Sequence, residues 1–142
     1  MSVGKTCPFC ELVAGQAPAS IVFEDENAVA VMDIQPLTPG HVLVLPREHA
    51  AGLSDLDERT GAHLFKIALR TQRALRGSGL RCDGVNLFLA DGEAAGQEVF
   101  HVHLHVLPRF EGDGFGLVYE RSSRPRREDL DAAAARIRSA WG

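Results

Sequence analysis

Residues 96–109 read GQEVFHVHLHVLPR, with His101, His103 and His105 at alternate positions and Val102, Leu104 and Val106 between them. Those aliphatics favour extended chain, and successive side chains of a strand point to opposite faces. The three imidazoles should therefore share one face. Two residues of strand span roughly 6–7 Å, which sets the first and third rings about 13 Å apart. One metal ion does not reach all three at that spread, so the rings must divide the work. A strand that merely shows histidines to solvent is the plain alternative. Catalysis is the reading with chemistry in it: a neutral imidazole is a good nucleophile near pH 7, and its attack on phosphorus splits one hard step into two through a phosphoryl-histidine. Just upstream, Gly96 and Gln97 lie in a loop where a backbone N–H and a side-chain amide can donate to phosphate oxygens as charge builds on them. Outside such a context the same pair means only a turn.

Cys7 and Cys10, in CPFC, have the spacing of zinc ligands or of a redox pair. The redox reading wants the pair to open a helix after a strand, whereas here it stands almost at the start of the chain. A tetrahedral zinc site needs two further ligands from distant segments, and His49 and His101 are the candidates. Two small buried thiols beside surface imidazoles are the bland reading. Cys82 has no partner by spacing and reads as a structural thiol.

These groups must be held by a frame. IVFEDENAVAVMDI suggests two strands around the polar turn Glu24–Asn27, and HVLVL a buried strand from His41 to Leu45 ended by Pro46. From Asp57 to Arg76, Leu64, Ile67, Ala68 and Leu75 recur at helical spacing, and Gly77 and Gly79 stop the helix. GVNLFLADGEAAGQEVFHVHLHVL suggests two strands joined by the loop DGEAAG. A final helix from Pro125 to about Trp141 sets Leu130, Ala134, Ile137 and Trp141 on one stripe. Strands that follow one another through short turns, with one long and one terminal helix, predict an α+β fold around an antiparallel sheet. The 142 residues make one domain, 1–142, with 45% hydrophobic and 24% charged residues as in an ordinary globular protein. A net charge of −4 argues against a general nucleic-acid binder. No apolar run nears the roughly 20 residues of a membrane span, and MSVGKTCPFCELV lacks the apolar centre of a secretory signal, so a cytoplasmic protein is expected.

HVHLHVL resembles the signature of the histidine triad family, His-x-His-x-His followed by two apolar residues. IVFEDENAVAVMDIQPLTPGHVLVLPREH, DGEAAGQEVFHVHLHVLPR and GDGFG also resemble that family in order and spacing, over nearly the whole chain, and most closely its small zinc-containing bacterial members. The resemblance implies a nucleotide-binding α+β fold, usually homodimeric through the long helix and the adjacent strand. It implies action on nucleoside phosphoramidates or dinucleoside polyphosphates. His103 would be the nucleophile toward the α-phosphorus, held through its other ring nitrogen by the His101 carbonyl. His105 would donate to a phosphate oxygen, His41 would lie against the nucleophile, and Gln97 would stand near the scissile bond. Cys7, Cys10, His49 and His101 would hold a structural zinc, since four protein ligands leave no open position for water. Phe9, Leu12, Val31 and Ile34 match apolar nucleoside-pocket positions, with ordinary core as the alternative. Asp33 matches the carboxylate on the ribose hydroxyls, or else is a turn residue before Pro36.

Two positions depart from the nucleoside phosphoramidase members. Glu98 stands where they have serine or threonine near the leaving group, and a carboxylate there repels phosphate unless protonated or turned away. Ala90 replaces an amide that often contacts the phosphate end. Beside the enzyme, two other readings stay open: a catalytically weak sensor or interaction protein that binds a purine mononucleotide such as AMP, and a zinc-stapled structural or redox protein.

Overall fold

A computed structural model describes residues 7–116 and 124–142. In chain order it contains α1 (Pro8–Val13), β1 (Ile21–Glu24), β2 (Ala28–Met32), β3 (Val42–Pro46), α2 (Glu58–Gly77), β4 (Gly84–Phe88), β5 (Leu104–Arg109) and α3 (Arg127–Ser139), with short 3-10 turns at Leu53–Asp55 and Glu93–Ala95. The five strands form one antiparallel sheet in the order β1-β2-β3-β5-β4. This is the expected α+β architecture.

Local chemistry explains the element ends. Asp25 Oδ1 accepts from the Asn27 and Ala28 N–H groups, both at 2.8 Å, which closes the β1–β2 turn. Asp57 caps α2 by accepting from the Thr60 N–H at 2.8 Å. Pro108 sits inside β5 without breaking it, because β3 pairs with β5 only from Leu104 to Val106. Beyond that point the missing N–H faces no partner strand, and the Pro108 carbonyl accepts from the Thr38 hydroxyl at 2.8 Å. Gly40 turns the chain into β3 with φ +94°, and a Cβ there would meet Leu75 and Pro108 at 3.2 Å. Glycine is the residue that satisfies both constraints.

The sheet is apolar on both faces at its centre. Ala28, Ala30, Val42, Val44 and Val106 pack against Leu64, Ile67, Ala68 and Leu75 of α2. The alternate residues Val29, Val31, Leu43 and Leu45 face the other way and are covered by Phe9, Leu12 and Val13 of the α1 arm. Burial on both faces explains the uninterrupted VLVLP run of β3. Among the described residues helix α3 is exposed throughout, including Leu130, Ile137 and the neighbouring Trp141 of the expected apolar stripe. A second departure concerns the histidines. The strand begins at Leu104, so of the three only His105 is in the sheet, and the Val102 N–H donates instead to the Ala50 carbonyl at 2.8 Å. The chain leaves the ladder because the His101 and His103 rings are drawn into partnerships of their own.

Candidate active site

His101 is fully buried, and its Nε2 donates to the Pro46 carbonyl at 2.8 Å. A carbonyl only accepts, so Nε2 carries the proton and Nδ1 keeps its lone pair. Burial lowers the pKa of the ring and keeps it neutral. That Nδ1 lies 3.5 Å from Cys7 Sγ, 3.6 Å from Cys10 Sγ and 3.3 Å from His49 Nδ1, and Cys10 Sγ lies 3.3 Å from His49 Nδ1. A tetrahedral zinc ion with ordinary bond lengths sets its ligands about 3.3 Å apart for nitrogen pairs and about 3.5 Å apart for sulfur–nitrogen pairs. The four donors thus stand at the corners such a cation needs, and two thiols with two imidazoles are a donor set that suits it. Elements distant in sequence build this corner: α1 brings Cys10, its cap brings Cys7, the turn after β3 brings His49, and the segment before β5 brings His101.

Two residues on, His103 Nδ1 donates to the His101 carbonyl at 2.8 Å. The same donor logic places the proton on Nδ1 and leaves Nε2 with a free lone pair. Phe9 meets this ring edge-on with centroids 5.0 Å apart. Beside it, 4.9 Å between centroids, stands His105. His41 is buried, and its Nδ1 accepts from the Leu37 N–H at 3.1 Å, so its Nε2 is the N–H that donates to His105 Nδ1 at 2.8 Å. His105 is left with one kind of free group, the Nε2–H. Burial, then the neighbouring His103 and His41, lowers the His105 pKa to about 4. Burial also lowers that of His41, against the opposing pull of Asp33, whose Oδ2 lies 3.4 Å away. Asp33, His41 and His105 have metal-like proximity. A 2.8 Å approach of His41 to His105 is a hydrogen bond, however, and is tighter than the nitrogen–nitrogen edge of a tetrahedral cation.

Several of the expected site residues have partners of their own. His41 donates to His105, which stands next to His103. Gln97 is buried with its amide fully committed: Oε1 accepts from the Gly92 N–H at 2.7 Å, and Nε2 donates to the Ala51 and Val99 carbonyls at 2.7 and 3.0 Å. The Gly96 N–H, expected to face phosphate, donates to the Glu93 carbonyl at 3.0 Å. Both donors brace the 92–97 loop, where φ values of +92° at Gly92 and +86° at Gly96 require glycine. Glu98 is exposed, and Ala90 is buried. Val31 is core, 1% exposed, and Phe9 and Leu12 pack on the cluster it belongs to, whereas Ile34 is 91% exposed. Asp33 accepts from the Gln35 N–H at 2.9 Å and turns its other oxygen to His41. Among the groups that sequence reasoning missed, the Pro46 and Ala51 carbonyls and the Leu37 N–H have no side-chain signature. Phe88 and Phe115, which flank His105, had one only in retrospect: Phe88 lies opposite His105 in the sheet register.

A family model described as HIT domain matches residues 14–112. The chain belongs to the HIT family. A crystal structure of a HIT family member from Bacillus subtilis superposes with a TM-score of 0.89 at 34% identity, covering 97% of this chain and 99% of that one. A crystal structure described as a Zn-bound histidine triad family protein from Mycobacterium smegmatis is 45% identical, with 96% and 98% coverage and a TM-score of 0.75. An adenylylsulfatase of Arabidopsis thaliana is 33% identical over 108 residues, which are 75% of this chain and 54% of that protein. This HIT chain is thus similar to one protein described as Zn-bound and to one described as an adenylylsulfatase.

Proposed function

We propose that this HIT protein is a nucleotidyl hydrolase or transferase that cleaves nucleoside phosphoramidates or nucleoside polyphosphates at the α-phosphorus through a nucleotidyl-His103 intermediate. One observation carries the reading: a nucleophile and a phosphate donor stand side by side, each in the tautomer its task needs. The Nδ1–H of His103 is spent on the His101 carbonyl, so the Nε2 lone pair is free to bond phosphorus. As that bond forms, the bond to the leaving nitrogen or oxygen breaks, and the leaving group takes the electron pair and a solvent proton. The cation that develops on the imidazole is met by the same carbonyl. His105, supplied by His41, points an N–H at a non-bridging oxygen, and its low pKa keeps it a neutral donor. Water then attacks the intermediate. The nucleoside lies over the α1 arm and the end of β2, with Phe9, Leu12 and Ile34 against the base and Asp33 on the ribose. Exposed Ile34 acquires a purpose there.

Cys7, Cys10, His49 and His101 would hold a structural zinc that ties the α1 arm to the segment carrying His103. The zinc-bound relative supports that assignment. A homodimer is part of the proposal, with exposed Phe65 and Leu69 of α2 and the edge strand β4 meeting their copies. The test is His103→Ala with adenosine phosphoramidate: turnover should fall by 10³ or more, roughly the worth of a lost nucleophile, while AMP still binds by calorimetry. Unchanged turnover would remove the reading. A weak purine-nucleotide sensor is the second reading, and the internal commitment of Gln97 favours it. It predicts AMP binding with no turnover of either bond type in the unsubstituted protein.

A further inference from the structure

Thr38 belongs to the turn between β2 and β3, is 2% exposed, and gives its hydroxyl hydrogen to the Pro108 carbonyl at 2.8 Å. Register explains that partner. β3 pairs with β5 at Val42–Val106, Leu43–His105 and Val44–Leu104, and the ladder stops there. Continued by two residues, it would set Gly40 against Pro108. Gly40 instead leaves the strand with φ +94°, packed so closely on Leu75, Leu80 and Pro108 that an added Cβ would meet each within 3.3 Å. The Thr38 hydroxyl supplies the donor that a longer ladder would have brought, and a buried carbonyl left without one is costly. One side chain therefore fastens the turn to β5.

With Thr38 fastened, the turn closes on His41. The Thr38 carbonyl accepts from the His41 N–H at 3.1 Å, and the preceding residue, Leu37, donates its N–H to His41 Nδ1 at 3.1 Å. An imidazole that accepts on Nδ1 carries its proton on Nε2. That proton goes to His105 Nδ1 at 2.8 Å, so His105 keeps its own proton on Nε2. Asp33 Oδ2, 3.4 Å from His41 Nε2, favours the same tautomer. In the proposed complex that carboxylate turns to the ribose hydroxyls, and the Leu37 N–H is then what holds His41.

We infer that Thr38 is a positioning residue for nucleotidyl transfer: through the Leu37 N–H and His41 it fixes His105 in the Nε2–H tautomer that a phosphate oxygen requires. The effect on turnover rests on the nucleotidyl-transfer reading; the effect on the rings rests on the hydrogen-bond chain alone. Without the hydroxyl the turn is released from β5, and the Leu37 N–H leaves His41 Nδ1. Each ring keeps one proton but moves it: His41 becomes protonated on Nδ1, its Nε2 accepts from His105 Nδ1, and His105 Nε2 turns a lone pair to the phosphate. What is lost is a donor at an oxygen where charge accumulates.

The experiment uses the full-length protein with Thr38→Val, which keeps the branched shape without the donor, and Thr38→Ser, which keeps the hydroxyl. Long-range 1H–15N correlation of the histidine rings above pH 7, where both rings are neutral, reads the tautomers, with His41→Gln and His105→Gln to assign the signals. In the wild type both rings should carry the proton on Nε2. In Thr38→Val a large share of His105 should move it to Nδ1. With adenosine phosphoramidate, kcat should fall about tenfold in that variant, part of the cost of a lost oxyanion donor, while KM and AMP affinity stay within about twofold. Thr38→Ser should restore both the signals and kcat. Thr38→Ala, which also lacks the donor, gives the same reading where valine does not fold. A wild-type ring protonated on Nδ1, unchanged tautomers in the variants without the hydroxyl, or a serine that fails to restore them overturns the inference whatever kcat does. A wild type with the expected tautomers and no turnover removes the nucleotidyl-transfer reading and leaves Thr38 to be judged by the ring signals.

Discussion

The His105 ring receives a hydrogen bond from His41 on Nδ1 and so offers only an N–H from Nε2. It stays neutral because a charge there would be half-buried beside two other imidazoles, and its pKa falls to about 4. That shift has a thermodynamic consequence. In the unfolded chain histidine titrates near 6.5, so below that pH the unfolded state binds a proton that folded His105 refuses. Stability should then be present in full above about 6.5 and be lost as pH falls toward 4. The expected share is on the order of 1 kcal/mol, because His105 is only partly buried. Urea unfolding of wild type and His105→Gln at several pH values measures it: the wild-type curve should fall more steeply between pH 6.5 and 4. Parallel curves would show that burial does not govern this ring.

At the scale of elements, two features of the frame remain unspent by the monomer. Helix α2 buries Leu64, Ile67, Ala68 and Leu75 but leaves Phe65 and Leu69, one turn apart, 52% and 41% exposed. Strand β4 is an edge with Leu87 40% exposed, and unpaired edges with apolar side chains invite pairing. Both are surfaces on which the proposed dimer would meet. Leu69→Glu, which places a charge in the middle of that face, should convert a species eluting at twice the chain mass into one eluting at the chain mass, with the melting profile little changed. A wild-type chain that elutes as a monomer at high concentration would end the dimer proposal. The sequence's periodicity named the buried stripe of α2 correctly, because burial repeats with the helix. It placed the triad in a strand, and there it went too far: alternating aliphatics favour extension, but the hydrogen bonds of His101 and His103 compete with the ladder and win.

For the whole molecule, the cluster of Cys7, Cys10, His49 and His101 joins the α1 arm to the segment that leads into β5. The α1 arm packs on the sheet through Phe9, Leu12 and Val13, a small apolar contact for a segment that forms one side of the site. Zinc would fasten it at Cys7 and Cys10 to His49 and His101. Protein purified without added metal should therefore hold about one zinc per chain, measured by atomic emission. Stripping it with a strong chelator should lower Tm by roughly 10 °C and weaken AMP binding, since Phe9 would lose its anchor. A metal-free protein whose melt ignores chelator would refute the staple. Among the described residues, no helix is long and apolar enough to cross a membrane.

What the sequence determined on its own were identities and spacings: three alternating histidines, CPFC, a glycine-lined loop, alternating apolar runs and one amphipathic helix. Those are enough for the resemblance to the family and for an antiparallel α+β fold, because side-chain period and turn residues are local properties. Only the tertiary structure decided who partners whom. The bonds of His101 to Pro46, of His103 to the His101 carbonyl and of Gln97 to Ala51 end on backbone oxygens, which every residue has and no residue type announces. The pairing of His41 with His105 depends on register between β3 and β5, and the place of Phe88 beside His105 depends on register between β4 and β5. Proximity across strands is a property of the assembled sheet, and no single segment contains it.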